Sequence, residues 1–370
     1  MPIDRIHIKN FKSIRDSGDI KIEPINILIG ANGVGKSNFI SFFKMLNSIF
    51  KKRLWQYIAD NNYENGILYF GRKKSKFIEG SIVFRPELKK NTNNNYKFKL
   101  VPKQQASGFY FEKDDGGVNS FAYGFNESWY YENLGGKGKE ESGIADSGLD
   151  RADFLRDYFS SFNVFHFHDT SSSSLLKQPN KTLDYKYLKS DGSNLAAFLY
   201  KIKDTHPKHF KIIEYTISSV APFFERFDLA PDEKNPDVIF LNWLERGSDE
   251  YFNAHHLSDG TLRFIALSTL FLQPVLPKTI ILDEPELGLH PFAISKLTGM
   301  IKKASVHSQI IIATQSVNLV NEFSADDIIV ADREDNQTVF KRQSQESLKT
   351  WLEGYSIGEL WEKNVIGGRL

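Results

Sequence analysis

The chain contains no cysteine, which removes disulfides, thiolate catalysis and cysteine-ligated metal together. No apolar run approaches the roughly 20 residues that cross a bilayer, so no membrane contact is expected. A formal net charge of +1 supplies no global basic field for nucleic acid. The opening "MPIDRIHIKNFKSI" alternates like a strand and carries no signal-peptide core, so a cytoplasmic protein is the expectation. No heptad pattern lasts three or four turns, which leaves out a long coiled-coil arm.

What is present is 370 residues, 41% hydrophobic and 25% charged, enough for two or three packed units or one domain with a large insertion. Charge is uneven along the chain. Residues 51–103 hold 13 Lys and Arg against 4 Asp and Glu, whereas residues 104–157 hold 5 against 11. Such asymmetry marks either a partner surface, DNA among the options, or the solvated face of an inserted sheet, and the second is preferred.

Periodicity predicts strands over 3–10 and 20–29 and a helix from Ser37 to Phe50 with Phe39, Phe42, Phe43 and Leu46 on one face. Residues 66–130 read as short aromatic-rich strands broken by "NTNNN" (91–95) and "KDDGG" (113–117). Residues 133–148 read as a mobile loop, and 150–235 as mostly helical. Strands are predicted at 279–283, 309–314 and 328–332, with helices at 260–272, 291–304 and 316–323. The expected segments are 1–150, 151–240, 241–345 and a tail, 346–370.

Two stretches carry chemistry. "GANGVGKSN" comprises Gly30, Ala31, Asn32, Gly33, Val34, Gly35, Lys36, Ser37 and Asn38, between a strand and a helix. That is a Walker A loop in its required setting. The glycines let backbone N–H groups close on a polyphosphate, Lys36 reaches the β and γ phosphates of ATP, and Ser37 takes a Mg²⁺ position. "TIILDEPE" then delivers Asp283 and Glu284 from a buried strand. Adjacent carboxylates there are costly without a cation. The assignment is Asp283 for Mg²⁺ and Glu284 as the base that polarises the attacking water.

"LSDGTLRF" (257–264) resembles the signature of the ABC-type ATPases, with Leu257, Ser258 and Gly260 matching and Asp259 and Thr261 departing. The resemblance implies that Ser258, Gly260 and Arg263 contact, in trans, ATP held by another copy, making a head-to-tail homodimer or a larger oligomer. Asp259 is expected to pair with Arg263 one turn on. "IIIATQS" ends in Gln315 where that family places a histidine against the γ-phosphate. A glutamine amide can donate and accept there but does not titrate.

Together with "IHIKNFKSIRD", "DEPELGLHP" and the tail "YSIGELWEKNVIGGRL", these motifs resemble the RecF/SMC-like branch. More closely, they resemble stand-alone bacterial AAA-family ATPases related to the overcoming-lysogenisation-defect (OLD) proteins. The implied fold is an α/β P-loop NTPase, an ABC-type ATPase head. It would have an N-terminal mixed-sheet lobe, a helical insertion and a C-terminal parallel-sheet lobe. The implied function is an ATP hydrolase acting as a nucleotide-driven dimer switch for bacterial anti-phage defence, controlling a separately encoded nuclease-like or toxin-like effector. Too few residues follow Ser316 for a nuclease domain, so no nuclease activity of its own is expected. The competing readings are a RecF/SMC-like ATPase that binds DNA through 51–103 in recombination or repair, and a transporter motor.

Other candidates rank lower. His166 and His168 in "FHFHD" would share one side of a strand, yet a packed pair is preferred over a metal site. Phe11 is a candidate to stack on adenine.

Overall fold

The computed structural model describes residues 2–86, 92–120, 129–160 and 162–368. It divides into two compact units. The first takes in Met1–Asn163, Lys278–Ile280 and Gln309–Leu370, and the second Val164–Pro277 and Ile281–Ser308. Where the sequence suggests contiguous segments, the second unit is thus inserted into the first.

The first unit opens with strands β1 (Ile3–Phe11), β2 (Ile14–Lys21) and β3 (Ile25–Ile29). Helix α1 (Lys36–Phe50) follows, then short helices α2 (Leu54–Asp60), α3 (Tyr63–Ile67) and α4 (Gly71–Lys74). Strands β4 (Ile78–Phe84), β5 (Thr92–Pro102), β6 (Phe109–Ser120) and β7 (Tyr130–Asn133) and helix α5 (Asp150–Ser160) complete this stretch. An antiparallel sheet results, in the order β2-β1-β4-β5-β6-β7.

Strand β8 (Phe162–Phe165) leads into the second unit. This holds β9 (Asn180–Lys181), α6 (Leu195–Thr205), α7 (Pro207–Val220), β10 (Phe224–Phe227), β11 (Val238–Ile239), β12 (Asn242–Glu245) and β13 (Tyr251–Asn253). Then come α8 (Asp259–Leu272), β14 (Thr279–Asp283), split between the units, and α9 (Pro291–Ala304). The chain returns to the first unit as β15 (Gln309–Ala313), α10 (Val317–Val320), β16 (Ile328–Glu334), β17 (Gln337–Arg342), α11 (Lys349–Leu352) and α12 (Ile357–Glu362). There β3 pairs in parallel with both β15 and β16, and β17 runs antiparallel along β16.

Burial explains α1. Phe39, Phe42, Phe43 and Leu46 are wholly buried, each contributing about 1.5–3 kcal/mol of apolar transfer. Phe11 meets Phe42 edge to face at 5.6 Å. It is also wholly buried, so it has no face to offer adenine.

Several local expectations are corrected by tertiary context. The strand expected at 20–29 is interrupted before Pro24, which cannot donate to a ladder. Asn26 fills the gap, accepting from Glu23 N at 2.8 Å and donating to Glu23 O at 2.6 Å. "KDDGG" is not a turn, and neither is 92–95 of "NTNNN", whose Asn91 lies outside the described residues. Asn93, Asn94 and Asn95 of β5 pair with Asn119, Val118 and Gly117 of β6. Nor is 133–148 a loose loop: Asp114 accepts from Ser142 Oγ at 2.8 Å and Gly143 N at 2.7 Å, and also from Tyr96 Oη at 2.9 Å. Between α5 and α6 the chain is turns and short strands, because its Asn and Asp side chains satisfy backbone groups that a helix would need. Asn194 alone accepts from Lys189 N and donates to the carbonyls of Asp184 and Tyr187.

Candidate functional site

The Walker A loop leaves the carboxyl end of β3, every residue of which is buried. Gly30, Gly33 and Gly35 have φ of 150°, 79° and 117°, a region glycine enters without strain. Two of them are also required by space. A Cβ on Gly30 would lie 2.3 Å from Ala331 O, and one on Gly35 would lie 2.2 Å from Thr338 Oγ1. Side chains outside the motif brace the loop. Thr338 Oγ1 donates to Val34 O at 2.6 Å and lies 2.6 Å from Ser13 Oγ, which accepts from Asn38 Nδ2 at 2.7 Å. Sequence reading missed both hydroxyls; the "NFKS" turn holds Ser13, but nothing local marks Thr338.

Lys36 opens α1 and is buried; its ammonium crosses the loop to the carbonyls of Gly30 and, at 3.0 Å, Ala31. Ser37 and Asn32 are exposed and Ala31 is half-buried. The first turn of α1 carries no acidic residue and no side-chain cap. Its N–H groups therefore suit an anion. Gln315 belongs to the same constellation. Ala313 of β15 is in register with Leu28 of β3, so Gly30 and Gln315 leave adjacent parallel strands at one edge. That edge is where open α/β sheets bind ligands.

A cavity of about 420 Å³ borders this loop through Ser13 and Asn38. Lys12, Leu68, Phe70, Arg333 and Asn336 help to line it. Lys12, Phe70 and Asn336 have φ of 51°, 51° and 62°, which non-glycine residues seldom adopt. Burial, assisted by Lys44, lowers the Lys12 pKa. Lys12 Nζ donates to Ser41 Oγ at 2.7 Å and Asn61 Oδ1 at 3.0 Å. Phe70 is 59% exposed and is the aromatic ring available where Phe11 is not.

The second unit holds the other half of the motif set. β14 is buried through Leu282 and releases Asp283 and Glu284 half-exposed. Glu284 has φ of 41°, a strained backbone of the kind that collects at functional sites. Exposed Ser258 caps α8, accepting from Thr261 N at 3.2 Å. A Cβ on Gly260 would lie 2.4 Å from Gly288 O, which seats the signature turn against the turn that follows Glu284.

Arg263 departs from expectation. It is 5% exposed, and its guanidinium donates to Phe167 O at 3.1 Å and His168 O at 3.0 Å. Asp259 instead pairs with Lys177 at 3.6 Å. Interior carbonyls satisfy the arginine fork, while the carboxylate on the same helix stays toward solvent. β8 stops at Phe165, so His166 and His168 lie past its end rather than along one side. Burial lowers the His168 pKa, against the raising influence of Asp283 and Glu284. Among the described residues, no group of three or more His, Asp and Glu could hold a metal ion.

Among the described residues, six of the 13 cations in 51–103 have carboxylate partners. Arg85 pairs with Glu23 at 2.6 Å, Lys97 with Glu79 at 3.2 Å and Arg72 with Glu64 at 3.7 Å. Lys52, Lys99 and Lys103 pair with Asp146, Glu112 and Glu140. Four of these six carboxylates lie outside the segment, so the local charge count overstates its field. Among the described residues no helix is long and apolar enough to cross a membrane.

Known proteins add context. An Smc head bound to the C-terminal winged-helix domain of ScpA is similar over 95% of this chain and 100% of its own, at 15% identity and a TM-score of 0.61. An Smc head with an extended coiled coil, bound to the C-terminal domain of ScpA from Pyrococcus furiosus, matches over 95% and 98%, at 15% identity and a TM-score of 0.56. The fold is therefore that of an SMC head, an α/β P-loop ATPase fold. No curated protein sequence matches the chain. Residues 25–321 match the family described as "AAA domain, putative AbiEii toxin, Type IV TA system", from β3 through α10, and the chain belongs to that family.

Proposed function

We propose that the protein hydrolyses ATP with Mg²⁺ in sites completed by a second copy of itself, and that the change of state controls a separate effector. The observation that carries this reading is the turn from Gly30 to Gly35, whose three glycines hold positive φ and lead into a first turn of α1 with no side-chain cap and no acidic residue. Lys36 and the first N–H groups of α1 would receive the β and γ phosphates there. The cavity beside Asn38 would take the nucleoside, with Phe70 against the base.

Ser37 and Asp283 carry the oxygen ligands that Mg²⁺ prefers, and the bound ion neutralises phosphate charge. Glu284 would accept the proton of the attacking water, and the Gln315 amide would orient that water. Ser258 and Gly260 would meet the γ-phosphate held by the other copy. Arg263, buried within its own unit, acts as a positioning residue that ties the signature helix to the carbonyls of Phe167 and His168.

A partner protein is in keeping with the Smc heads of the same fold, whose structures contain a ScpA domain. The toxin and TA-system terms of the family's description are in keeping with a defence role. The RecF/SMC-like alternative, a DNA-binding ATPase of recombination or repair, draws equally on the Smc-head fold.

Glu284→Gln is the test. Turnover should fall by about 10²–10⁴-fold, while nucleotide stays bound and dimer accumulates in sedimentation. An unaltered rate would remove Glu284 from the chemistry.

A further inference from the structure

Outside the nucleotide site, a second concavity lies on the open face of the antiparallel sheet. Its volume is about 900 Å³. Strand alternation builds it: Arg5, Val83, Asn95, Gly117 and Tyr131 stand opposite one another in neighbouring strands, forming one row across the face. Gly117 is required in that row, since a Cβ there would lie 2.8 Å from the Tyr131 ring. Trp129 stands beside Tyr131, with ring centroids 6.5 Å apart, and the two make an aromatic wall.

The floor carries an unmet demand. Asn95 is 4% exposed and lines the concavity, and its Nδ2 makes only a long contact of 3.4 Å to Ser81 Oγ. Its Oδ1 is buried and accepts nothing, and neither does the buried Oδ1 of the neighbouring Asn93. Native proteins seldom leave such acceptors without a donor.

Charge decides what donor fits. Among the described residues, each Lys and Arg that lines the concavity already has a carboxylate. Arg5 pairs with Asp4 at 3.2 Å and Asp19 at 3.4 Å, Lys9 with Asp16 at 3.3 Å, and Lys97 with Glu79 at 3.2 Å. A nucleic acid needs an excess of positive charge and would have to break these pairs. Neutralised charges, amides and a Tyr–Trp wall instead match the make-up of a protein–protein interface.

We propose that this face docks an extended segment of a partner protein, whose backbone N–H groups donate to Asn95 and Asn93 and whose side chain packs on Tyr131 and Trp129. The inference supplies the contact surface for the effector reading, and rests on that reading only for what the partner does.

The test is selection of phage-displayed dodecapeptides on the immobilised full chain, followed by anisotropy titration of the enriched peptides. Affinity should fall about tenfold in Asn95→Leu and in the exposed-site variant Tyr131→Ala. It should change little with salt, and ATP turnover should be the same in all three proteins. Failure to enrich any peptide, or equal affinity for the three proteins, would overturn the proposal. So would salt-sensitive binding of oligothymidylate that Asn95→Leu abolishes, which would make this a nucleic-acid face. Peptide binding that survives in a chain with no ATP turnover would leave docking intact and sink only the ATPase reading.

Discussion

The helices α1 and α8 both begin at a glycine-bearing turn beside a serine, yet their first turns are built for different tasks. At α1 the preceding residue is Gly35 in a left-handed conformation, no side chain caps the helix, and no acid stands in the first turn. At α8 the N-terminus is closed by Ser258, and Asp259 follows it directly. The first arrangement presents a ring of backbone donors backed by Lys36, enough to hold a polyanion unaided. The second offers one exposed hydroxyl and a nearby negative charge, which suits a group that completes a site held mainly by something else. The same contrast appears in how each turn is supported. Gly35 is wedged against Thr338 and Ser13, whereas Gly260 abuts the carbonyl of Gly288. The first brace keeps one loop rigid; the second joins the signature turn to the turn that follows Glu284.

Breaking the α1 turn should have the largest effect. Gly35→Ala drives a Cβ to within 2.2 Å of Thr338 Oγ1 in a backbone region hostile to alanine. A displacement of the cradle of that size should cost on the order of a hundredfold in turnover. Fluorescent-nucleotide titration should show binding lost along with it. Tight binding at the wild-type level would mean that the cradle is not the nucleotide site.

Ser258→Ala tests the other side of the comparison. Removing one hydroxyl to a phosphate oxygen should lower turnover on the order of tenfold. Nucleotide binding by a dilute chain should be unchanged, because Ser258 serves the other copy's ATP. The rate per chain of the unaltered protein should rise with concentration. A strictly monomeric preparation at full activity would end the shared-site reading, and with it the division of labour between the two helices.

How far these regions were legible follows from where their causes lie. The Walker A turn is local, since glycine spacing, Lys36 and the apolar strand before it state the geometry in nine residues. The same is true of β14 and of α8 and α9, whose periodicity sets their bounds to within a residue. Arg263 was misread because a helical i, i+4 pair is visible in sequence while the carbonyls of Phe167 and His168, nearly a hundred residues away, are not. Thr338 was missed for the same reason. In β5 and β6, asparagine, aspartate and glycine spell turns by propensity, and only pairing with neighbouring strands reveals that they lie in a ladder. His168 was set aside as a packed histidine, though Asp283 and Glu284 both act on its pKa.

A milder change sharpens the account of the α1 brace. Thr338→Val keeps the volume but removes the hydroxyl that donates to Val34 O and meets Ser13. Buried hydrogen bonds of this kind contribute about 1 kcal/mol. A small fall in melting temperature and a KM for ATP raised about threefold are expected, with kcat nearly constant. At α8 the corresponding remote brace is the Arg263 guanidinium on the carbonyls of Phe167 and His168.

The smallest effect concerns pH and lies away from both helices. Asp114 is wholly buried, and that burial raises its carboxyl above the ordinary value, outweighing the hydrogen bonds from Gly143, Ser142 and Tyr96 that pull it down. The folded chain therefore holds this proton more tightly than the unfolded one. Stability from this residue is present in full below the ordinary aspartate range and declines as pH rises through the elevated folded value. Asp114→Asn cannot titrate, so its melting temperature should lose that part of the downward slope across mildly acidic pH. An amide can still accept from Ser142 or Gly143, so the loop at 133–148 should stay attached and ATP turnover at neutral pH should be unchanged. If the slope persisted in the variant, the burial of an ionised Asp114 would not be what the pH dependence reports. If turnover fell with it, the antiparallel sheet would be coupled to the α1 turn more tightly than their separate hydrogen-bond networks imply.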